Sequence, residues 1–377
     1  MTYPFDFEKL EILMEKSKMD LVLATTRHNI RYLTGGHYHH FFARSNRMGT
    51  NRYLSVVGLP RRQFENTFYV GRKQESRELK EQPLWMEHQH LGVYQTWSAA
   101  DLTVNAIKHL GLETGTIGLE FPFLPAEAYI AIQQGLPHAT LVDCTEMLSY
   151  LREIKTKQEI SILRKAHEAL AEAIQSTFHW GRNGVTTQDL NDHIRIEIEQ
   201  RGPDFMYCFT SAGPSMLRAP SQIEWKRGQV LELDAGGELQ DYISDIARMG
   251  CMGKPSAIAN EMLEEILSIQ EKIRTLVKPG TPCSEIHLAG NRAFQASQFS
   301  EGAGRFVAHG LGMVTHEPPI IHPDNLSTLE AGMVLSIETD FEHFEVGRVK
   351  IEDTVVVTSN GTEGLGDTGR NWTIVEG

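Results

Sequence analysis

The sequence has few cysteines, no long apolar run and no cluster of basic residues, and each absence excludes a class of protein. The cysteines show no paired spacing, so we expect reduced thiols rather than a disulfide framework or a zinc knuckle. No apolar run reaches the roughly 18 residues of a membrane-spanning helix, so we expect no membrane partner. The cysteines are Cys144, Cys208, Cys251 and Cys283.

The net charge of −13 argues against a nucleic-acid partner, because nucleic acids bind clustered lysine and arginine. Solubility is the simplest explanation of this acidic balance. Residues 1–8 also lack the basic and apolar segments of a secretory signal. Together with the reduced thiols, these features lead us to expect a cytoplasmic protein.

The length of 377 residues exceeds one ordinary core, so the sequence predicts two domains. In the first part, strand-like and helix-like stretches alternate, which is typical of an α/β domain. Residues 29–36 are expected to turn through a glycine pair, and residues 146–178 form one long amphipathic helix or two abutting ones. We therefore place an α/β domain at 1–153 and a second domain at 154–377.

A cluster of histidine and aromatic residues stands out in the first domain, at residues 37–42. It has two interpretations, a metal site or a loop whose rings pack together at a boundary. Packing is the simpler one, because no carboxylate stands at ligand spacing beside these histidines in the sequence. We interpret the cluster as the wall of a pocket, with His39 and His40 as candidate substrate contacts.

Two aspartates interrupt apolar runs in the second domain. Residues 230–233 and 242–247 read as neighbouring strands around a turn at Gly236 and Gly237, and they carry Asp234 and Asp245. A carboxylate buried without a partner costs several kcal/mol or takes up a proton. Two such residues on adjacent strands therefore indicate a cation between them.

Three further clusters supply the remaining ligands. His309 and His316 flank a glycine-containing segment, Glu338 follows an apolar strand, and Glu352 stands in the middle of another. With the two aspartates, these give four carboxylates and one imidazole, which suit a pair of divalent ions. The oxygen-rich donor set without sulfur favours Mn²⁺, Co²⁺, Fe²⁺ or Zn²⁺. Such a site serves the hydrolysis of an amide or a related bond.

These residues resemble the creatinase, prolidase and aminopeptidase P family, to which methionine aminopeptidases are related. The likeness extends over the chain in layout, including residues 29–35 and 151–160, and is specific in the last 150 residues, where all five ligand positions match in order. It implies an α/β N-terminal domain and an α+β pita-bread C-terminal domain. It also implies a homodimer, in which one N-terminal domain reaches over the other subunit's site.

The resemblance assigns roles to the matching positions. Asp234 would chelate one ion, and Asp245 and Glu352 would bridge both. His309 and Glu338 would hold the other ion, with Glu338 also taking a proton from water. His316 would hydrogen-bond the carbonyl of a small peptide or small-molecule substrate.

The chain departs from the family pattern at the substrate end. Residues 211–221 lack the histidine that peptidases of this family carry there, and Arg218 is the nearest cation, one that cannot trade a proton. Lys350 replaces an arginine of prolidases and aminopeptidases P, Ala247 replaces a threonine, and Asp241 replaces a glycine. We therefore add Arg218 and Lys350 to the candidate substrate contacts.

Three functions remain open. The first is an Xaa-Pro dipeptidase- or aminopeptidase P-like hydrolase. The second is a metal-dependent enzyme acting on a small non-peptide zwitterion, as creatinase, ectoine hydrolase or the dimethylsulfoniopropionate lyase of this fold do. The third is a non-catalytic binding protein, against which the retention of all five ligands counts, since buried carboxylates without a cation repel each other.

Overall fold

The computed structural model describes residues 3–42 and 53–376, and the chain divides into two compact units, Met1–Leu151 and Arg152–Gly377. The boundary expected after residue 153 lies close to this division. Each unit has its own sheet and its own hydrophobic core. No helix in the described ranges is long and apolar enough to cross a bilayer.

The N-terminal unit contains a mixed sheet and helices. Its strands are β1 (Leu21–Ala24), β2 (Val56–Pro60), β3 (Phe68–Arg72), β4 (His88–Val93), β5 (Thr116–Leu119) and β6 (Thr140–Asp143). Its helices are α1 (Phe7–Lys16), α2 (Arg27–Thr34), α3 (Glu75–Glu81), α4 (Thr96–His109), α5 (Ala126–Gly135) and α6 (Thr145–Leu151). The strands stand in the order β4-β3-β2-β1-β5-β6, with parallel pairs β1–β5, β5–β6 and β3–β4.

Strand β1 shows why helices cover both faces of this sheet. All four of its residues are apolar and buried, and successive side chains of a strand point to opposite faces. Val22 and Ala24 pack in one cluster with α1, α2 and α6, and Leu21 and Leu23 pack in another with α4 and α5. A strand that is apolar on both sides is typical of an α/β layer arrangement.

The turn predicted through residues 29–36 is wrong in its first part, where the chain forms helix α2. The Thr26 side chain caps the helix by accepting a hydrogen bond from the Asn29 N–H, and Gly35 ends it at a φ of 81°. The buried Glu120 carboxylate fixes the start of helix α2. It accepts hydrogen bonds from the Thr26 backbone N–H at 2.8 Å and from the Asn29 side-chain Nδ2 at 2.6 Å. Glycine marks only the end of this segment.

The histidines of residues 37–42 pair with carboxylates of helix α3. His37 Nε2 lies 3.0 Å from Glu75 Oε2, and His39 Nδ1 lies 3.3 Å from Glu78 Oε1. Phe42 stacks on Tyr53 with ring centroids 4.6 Å apart. Within the described residues no metal-binding group forms around these histidines. Their proposed contact with substrate stays a prediction.

The C-terminal unit is built around a larger sheet. Its helices are α7 (Lys157–Trp180), α8 (Thr187–Gln200), α9 (Ala257–Leu276) and α10 (Cys283–Gln295). Its strands are β7 (Val185–Thr186), β8 (Asp204–Ala212), β9 (Glu224–Trp225), β10 (Val230–Leu239), β11 (Tyr242–Met252), β12 (Arg305–Gly310), β13 (Val334–His343), β14 (Gly347–Val357), β15 (Thr362–Leu365) and β16 (Thr373–Val375). The main sheet has the order β12-β13-β14-β11-β10-β8, with antiparallel neighbours, while β15 pairs with β14 and β16 pairs with β11.

Side-chain alternation sorts this sheet into an apolar face and a polar face. Leu231, Leu233 and Ala235 of β10 pack against α7 and α8, so Glu232 and Asp234 between them point the other way. Strand β14 follows the same rule in the core formed with α9 and α10. The apolar residues Val349 and Ile351 alternate there with Lys350 and Glu352. The charged residues of neighbouring strands therefore meet on the face opposite the helices.

The hairpin turn predicted at Gly236 and Gly237 is wrong. Both glycines lie inside β10, and the turn is made by Gln240 and Asp241 at φ values of 50° and 73°. Two residues with positive φ form the tight connection that matches the twist of a hairpin. Gly236 serves close packing instead, because a Cβ there would lie 2.5 Å from Cε1 of Tyr207.

We therefore expect Gly236→Ala to lower the free energy of unfolding by about 1–3 kcal/mol, since the added methyl group must displace the Tyr207 ring. The matched control is Gly361→Ala, whose Cβ would meet no atom within 4 Å. The control should stay within about 0.5 kcal/mol of the unmodified chain. Chemical denaturation measures both, and equal stability of the two variants would contradict the packing role.

Candidate metal centre

The five residues predicted as metal ligands come together on the polar face of the sheet. Each stands on a different strand, and each is buried. Register brings them into line, because Glu338 of β13 lies directly opposite Glu352 of β14, and Ala247 of β11 pairs with both Asp234 of β10 and Glu352. The remaining two are Asp245 of β11 and His309 of β12.

Three of these residues fit a divalent ion. Ligand atoms of Asp245, His309 and Glu352 all lie within 4.8 Å of one another, and this is the only such group among the described residues. His309 Nε2 lies 3.8 Å from an oxygen of Glu352 and 3.8 Å from an oxygen of Glu338. Two carboxylates and an imidazole without sulfur suit Mn²⁺, Co²⁺, Fe²⁺ or Zn²⁺.

Lys350 lies within the ligand cluster. Its Nζ is 2.7 Å from Asp234 Oδ2, 2.6 Å from Glu338 Oε2 and 2.8 Å from Glu352 Oε2. These are the distances of charge-assisted hydrogen bonds. The ammonium group is enclosed by three of the predicted ligands, and the side chain is only 4% exposed. The predicted contact of Lys350 with substrate stays a prediction.

Arg218 also pairs with a predicted ligand. Its Nη2 lies 3.0 Å from Glu232 Oε1 and forms an ion pair with Asp234 Oδ2, the same oxygen that accepts from Lys350. The guanidinium group stacks on the Phe209 ring at 4.9 Å from its centroid. Arg218, which lies in the segment 211–221 that lacks the family's histidine, therefore compensates the charge of Asp234.

Charge compensation is uneven across the cluster. Burial raises the pKa of Asp234 to about 6, although Lys350 opposes this shift. Burial alone would also raise the pKa of Glu352, but Lys350 and His309 outweigh it and hold that pKa well below its usual range. Burial and the neighbouring Glu352 raise the pKa of Asp245 well above normal. In the described part of the chain, no lysine or arginine forms an ion pair with Asp245.

Two residues that contact Asp245 were not predicted from the sequence. The Tyr207 hydroxyl hydrogen-bonds to the Asp245 carboxylate. His167 of α7 accepts a hydrogen bond from the Asp245 N–H at 3.2 Å through Nε2, while its Nδ1–H donates to the Leu163 carbonyl at 2.7 Å. The sequence did contain one indication for His167. It stands four residues after Leu163 on the apolar stripe of the helix, and a buried polar side chain needs hydrogen-bond partners.

His316 lies beside the ligands but on the segment that follows β12. Its ring stacks on His309 with centroids 4.0 Å apart. Partial burial and the nearby His309 lower the pKa of His316, which favours its neutral form. The next residue, Glu317, anchors this segment through ion pairs with Arg152 at 3.0 Å and Lys155 at 2.9 Å.

Two glycines of this segment, Gly310 and Gly312, allow other atoms to approach the backbone closely. A Cβ at Gly310 would overlap the Glu317 carbonyl oxygen, and one at Gly312 would overlap the Glu317 side chain. The buried Glu317 carboxylate therefore fixes the path of the segment that carries His309 and His316.

Comparisons with known proteins agree with this arrangement. The model of Metallopeptidase family M24 matches residues 161–359, and that of the Creatinase/Prolidase N-terminal domain matches residues 7–154. An uncharacterized peptidase of Staphylococcus aureus (strain MW2) is 31% identical over 229 residues, which cover 59% of this chain and 65% of that protein. The chain thus spans less than two thirds of the length of the curated relatives it matches.

Solved structures show the same fold. An Xaa-Pro dipeptidase from Bacillus anthracis has a TM-score of 0.84 at 22% identity, with 97% of this chain and 98% of that one covered. A prolidase from Thermococcus sibiricus gives 0.84 at 23%, covering 100% and 99%. Aminopeptidase P from E. coli gives 0.76 at 19%, covering 96% and 94%. These likenesses confirm the predicted pita-bread fold with its α/β N-terminal domain, and the two family models confirm the predicted family resemblance.

The support that His167 gives to Asp245 should make stability depend on pH. Burial lowers the pKa of His167 to about 4, so the folded chain favours the neutral ring while the unfolded chain protonates near its usual pKa of about 6.5. The unfolded state then binds more protons between these values, and stability falls as pH falls from about 6.5 to 4. The loss amounts to roughly 2–3 kcal/mol.

We expect His167→Gln to remove this component, because glutamine offers a donor and an acceptor but does not titrate in this range. Urea unfolding at several pH values compares the two proteins. The stability of the unmodified chain should fall more steeply below pH 6.5. Parallel curves would contradict a buried neutral His167.

Proposed function

The chain belongs to metallopeptidase family M24, and from that premise we propose that it hydrolyses the amide bond of a small peptide, as Xaa-Pro dipeptidases and aminopeptidases P do. Membership of the family implies divalent metal ions. The observation that supports the proposal is the convergence of Asp234, Asp245, His309, Glu338 and Glu352 on one face of the sheet. A binding protein without chemistry would have no need of these buried charges.

The residues divide the work of hydrolysis between them. Asp245, His309 and Glu352 would hold a divalent ion, which when bound lowers the pKa of water and polarises the scissile carbonyl. Glu338 would take up the proton of the attacking water through the oxygen that faces His309, since its other oxygen is held by Lys350 at 2.6 Å. Lys350 thus orients the general base.

His316 would contact the substrate. Its lowered pKa keeps the ring neutral near pH 7, so one nitrogen donates a hydrogen bond and the other accepts. A donor beside the ligand cluster would stabilise negative charge developing on the carbonyl oxygen. The 4.0 Å stacking of His316 on His309 supports this assignment, because it places the ring beside the ligand cluster.

A second candidate is an enzyme for a small non-peptide zwitterion, and Arg218 is the observation that favours it. Residues 211–221 lack the histidine with which the family's peptidases contact the substrate, and Arg218, the nearest cation, pairs with Glu232 and Asp234. An arginine cannot lose its proton, so it cannot replace a histidine in a proton transfer. A remodelled substrate end of this kind favours a change of substrate over a loss of hydrolysis.

Glu338→Gln should lower kcat by about 100-fold or more while leaving the fold intact, because it removes the proton acceptor and keeps the side-chain shape. The matched control is Glu363→Gln, a carboxylate of β15 that pairs with Arg164 on the surface. Steady-state kinetics and thermal unfolding measure both variants. A Glu338→Gln enzyme with normal kcat would refute the assigned base.

A substrate panel separates the two candidate functions. We expect Gly-Pro and Ala-Pro to be hydrolysed in the presence of Mn²⁺ or Co²⁺ and to be spared after chelation with EDTA. The comparison substrates are small non-peptide amides that carry both a cationic and an anionic group. If only these substrates were hydrolysed, the result would support the second candidate function and contradict the first.

A further inference from the structure

We propose that this chain binds a single divalent ion, and that the Lys350 ammonium group takes the place of a second one. The inference rests on the metal dependence of the proposed function and goes beyond it, because it assigns the number of ions and a reason for it. It also replaces the expectation of a two-ion site drawn from the sequence.

The two glutamates of the cluster each face two cation positions. Oε1 of Glu338 and Oε1 of Glu352 lie toward His309 at 3.8 Å, while Oε2 of each contacts Lys350 Nζ at 2.6 and 2.8 Å. Carboxylates that bridge two ions are arranged in this way, with one oxygen for each ion. Here one of the two positions contains the ammonium group.

One oxygen of Asp234 already faces two cationic side chains at the second position. Its Oδ2 accepts from Lys350 at 2.7 Å and also pairs with Arg218. An ion bound there would compete with two fixed positive charges for the same oxygen. The residue that the family pattern makes a chelator is therefore already compensated by side chains.

Asp245 has the opposite environment. Among the described residues it has no lysine or arginine ion-pair partner. Its carboxylate faces the Tyr207 hydroxyl, while its backbone N–H and carbonyl bond to the side chains of His167 and Thr354. It forms the ligand group with His309 and Glu352, whose donor atoms lie within 4.8 Å of one another. The cluster therefore has one position still in need of a cation and one already filled.

The charges agree with this division. Asp234, Asp245, Glu338 and Glu352 carry four negative charges, and Lys350 and Arg218 supply two positive ones. Over these six side chains, one divalent ion makes the sum zero, while a second would leave a net charge of +2. Glu232, the other partner of Arg218, lies outside this count and faces Arg348 at 3.5 Å, which also pairs with Asp340 and Glu342.

Strand geometry keeps Lys350 in the cluster. Val349 and Ile351 lie in the core formed with α9 and α10, so the alternation of β14 directs Lys350 to the same face as Glu352. If the ammonium group left this position, it would lose three charge-assisted hydrogen bonds made in a buried place.

The test is the metal content of the purified chain, loaded with Mn²⁺ and freed of excess ion. Elemental analysis and calorimetric titration should give one ion per chain, and electron paramagnetic resonance should show the pattern of an isolated Mn²⁺. Two ions per chain with the signal of a magnetically coupled pair would overturn the proposal. This measurement uses the unmodified chain and needs no variant to fold.

Lys350→Ala should raise the content from one ion to two, because it vacates the second position and leaves the three carboxylates that faced the ammonium group without it. The matched control is Lys155→Ala, which removes an equally buried lysine whose partner Glu317 keeps its ion pair with Arg152. The control should still bind one ion. A Lys350→Ala chain that folds and binds only one ion would also overturn the proposal.

The outcomes separate this inference from the proposed function. Two bound ions with turnover of proline peptides would refute the single-ion inference and leave the function standing. One bound ion without turnover of any amide would refute the function and support the inference. No bound ion would refute both.

Discussion

The C-terminal unit depends on how its sheet accommodates buried negative charge. Four carboxylates from four strands share a buried space, and like charges at this separation repel strongly unless cations stand between them. Lys350 and Arg218 compensate the side of the cluster that includes Asp234, while Asp245 has no lysine or arginine ion-pair partner among the described residues and belongs to the group of three that could hold a metal ion. The stability of the sheet and the proposed chemistry therefore have the same requirement, because the carboxylates assigned to the metal centre are those that need a positive partner.

Side-chain alternation is what makes the arrangement possible. A strand with one apolar face and one charged face can pack on helices and still present ligands, and β10 and β14 both follow this pattern. Supporting contacts then fix the ligands. Ser336 donates to Glu352 at 2.7 Å, and Thr354 donates to the Asp245 carbonyl at 2.8 Å. Such outer contacts orient the side chains that hold a metal.

Local patterns predicted part of this structure and tertiary packing decided the rest. Aspartates in apolar runs indicated the two strands of the hairpin correctly, because burial of a charge is visible in a sequence. The position of the turn was not predicted correctly. Gly236 suggested a bend, but it lies within a strand and leaves room for the Tyr207 ring. The position of Lys350 could have been predicted from the sequence, because side chains two residues apart on a strand point to the same face and Glu352 was a predicted ligand. His167 needs a polar partner, but the sequence does not identify it, because Asp245 lies 78 residues further along the chain.

The tethered ammonium group of Lys350 has a consequence for how the protein depends on its surroundings. A cation that is part of the polypeptide is delivered at synthesis, whereas a second metal ion would have to be drawn from the cell's exchangeable pool. Assembly of the site then varies with the first power of free ion concentration instead of its square. Activity should therefore decline gradually as metal becomes scarce, where a site needing two ions would fail abruptly.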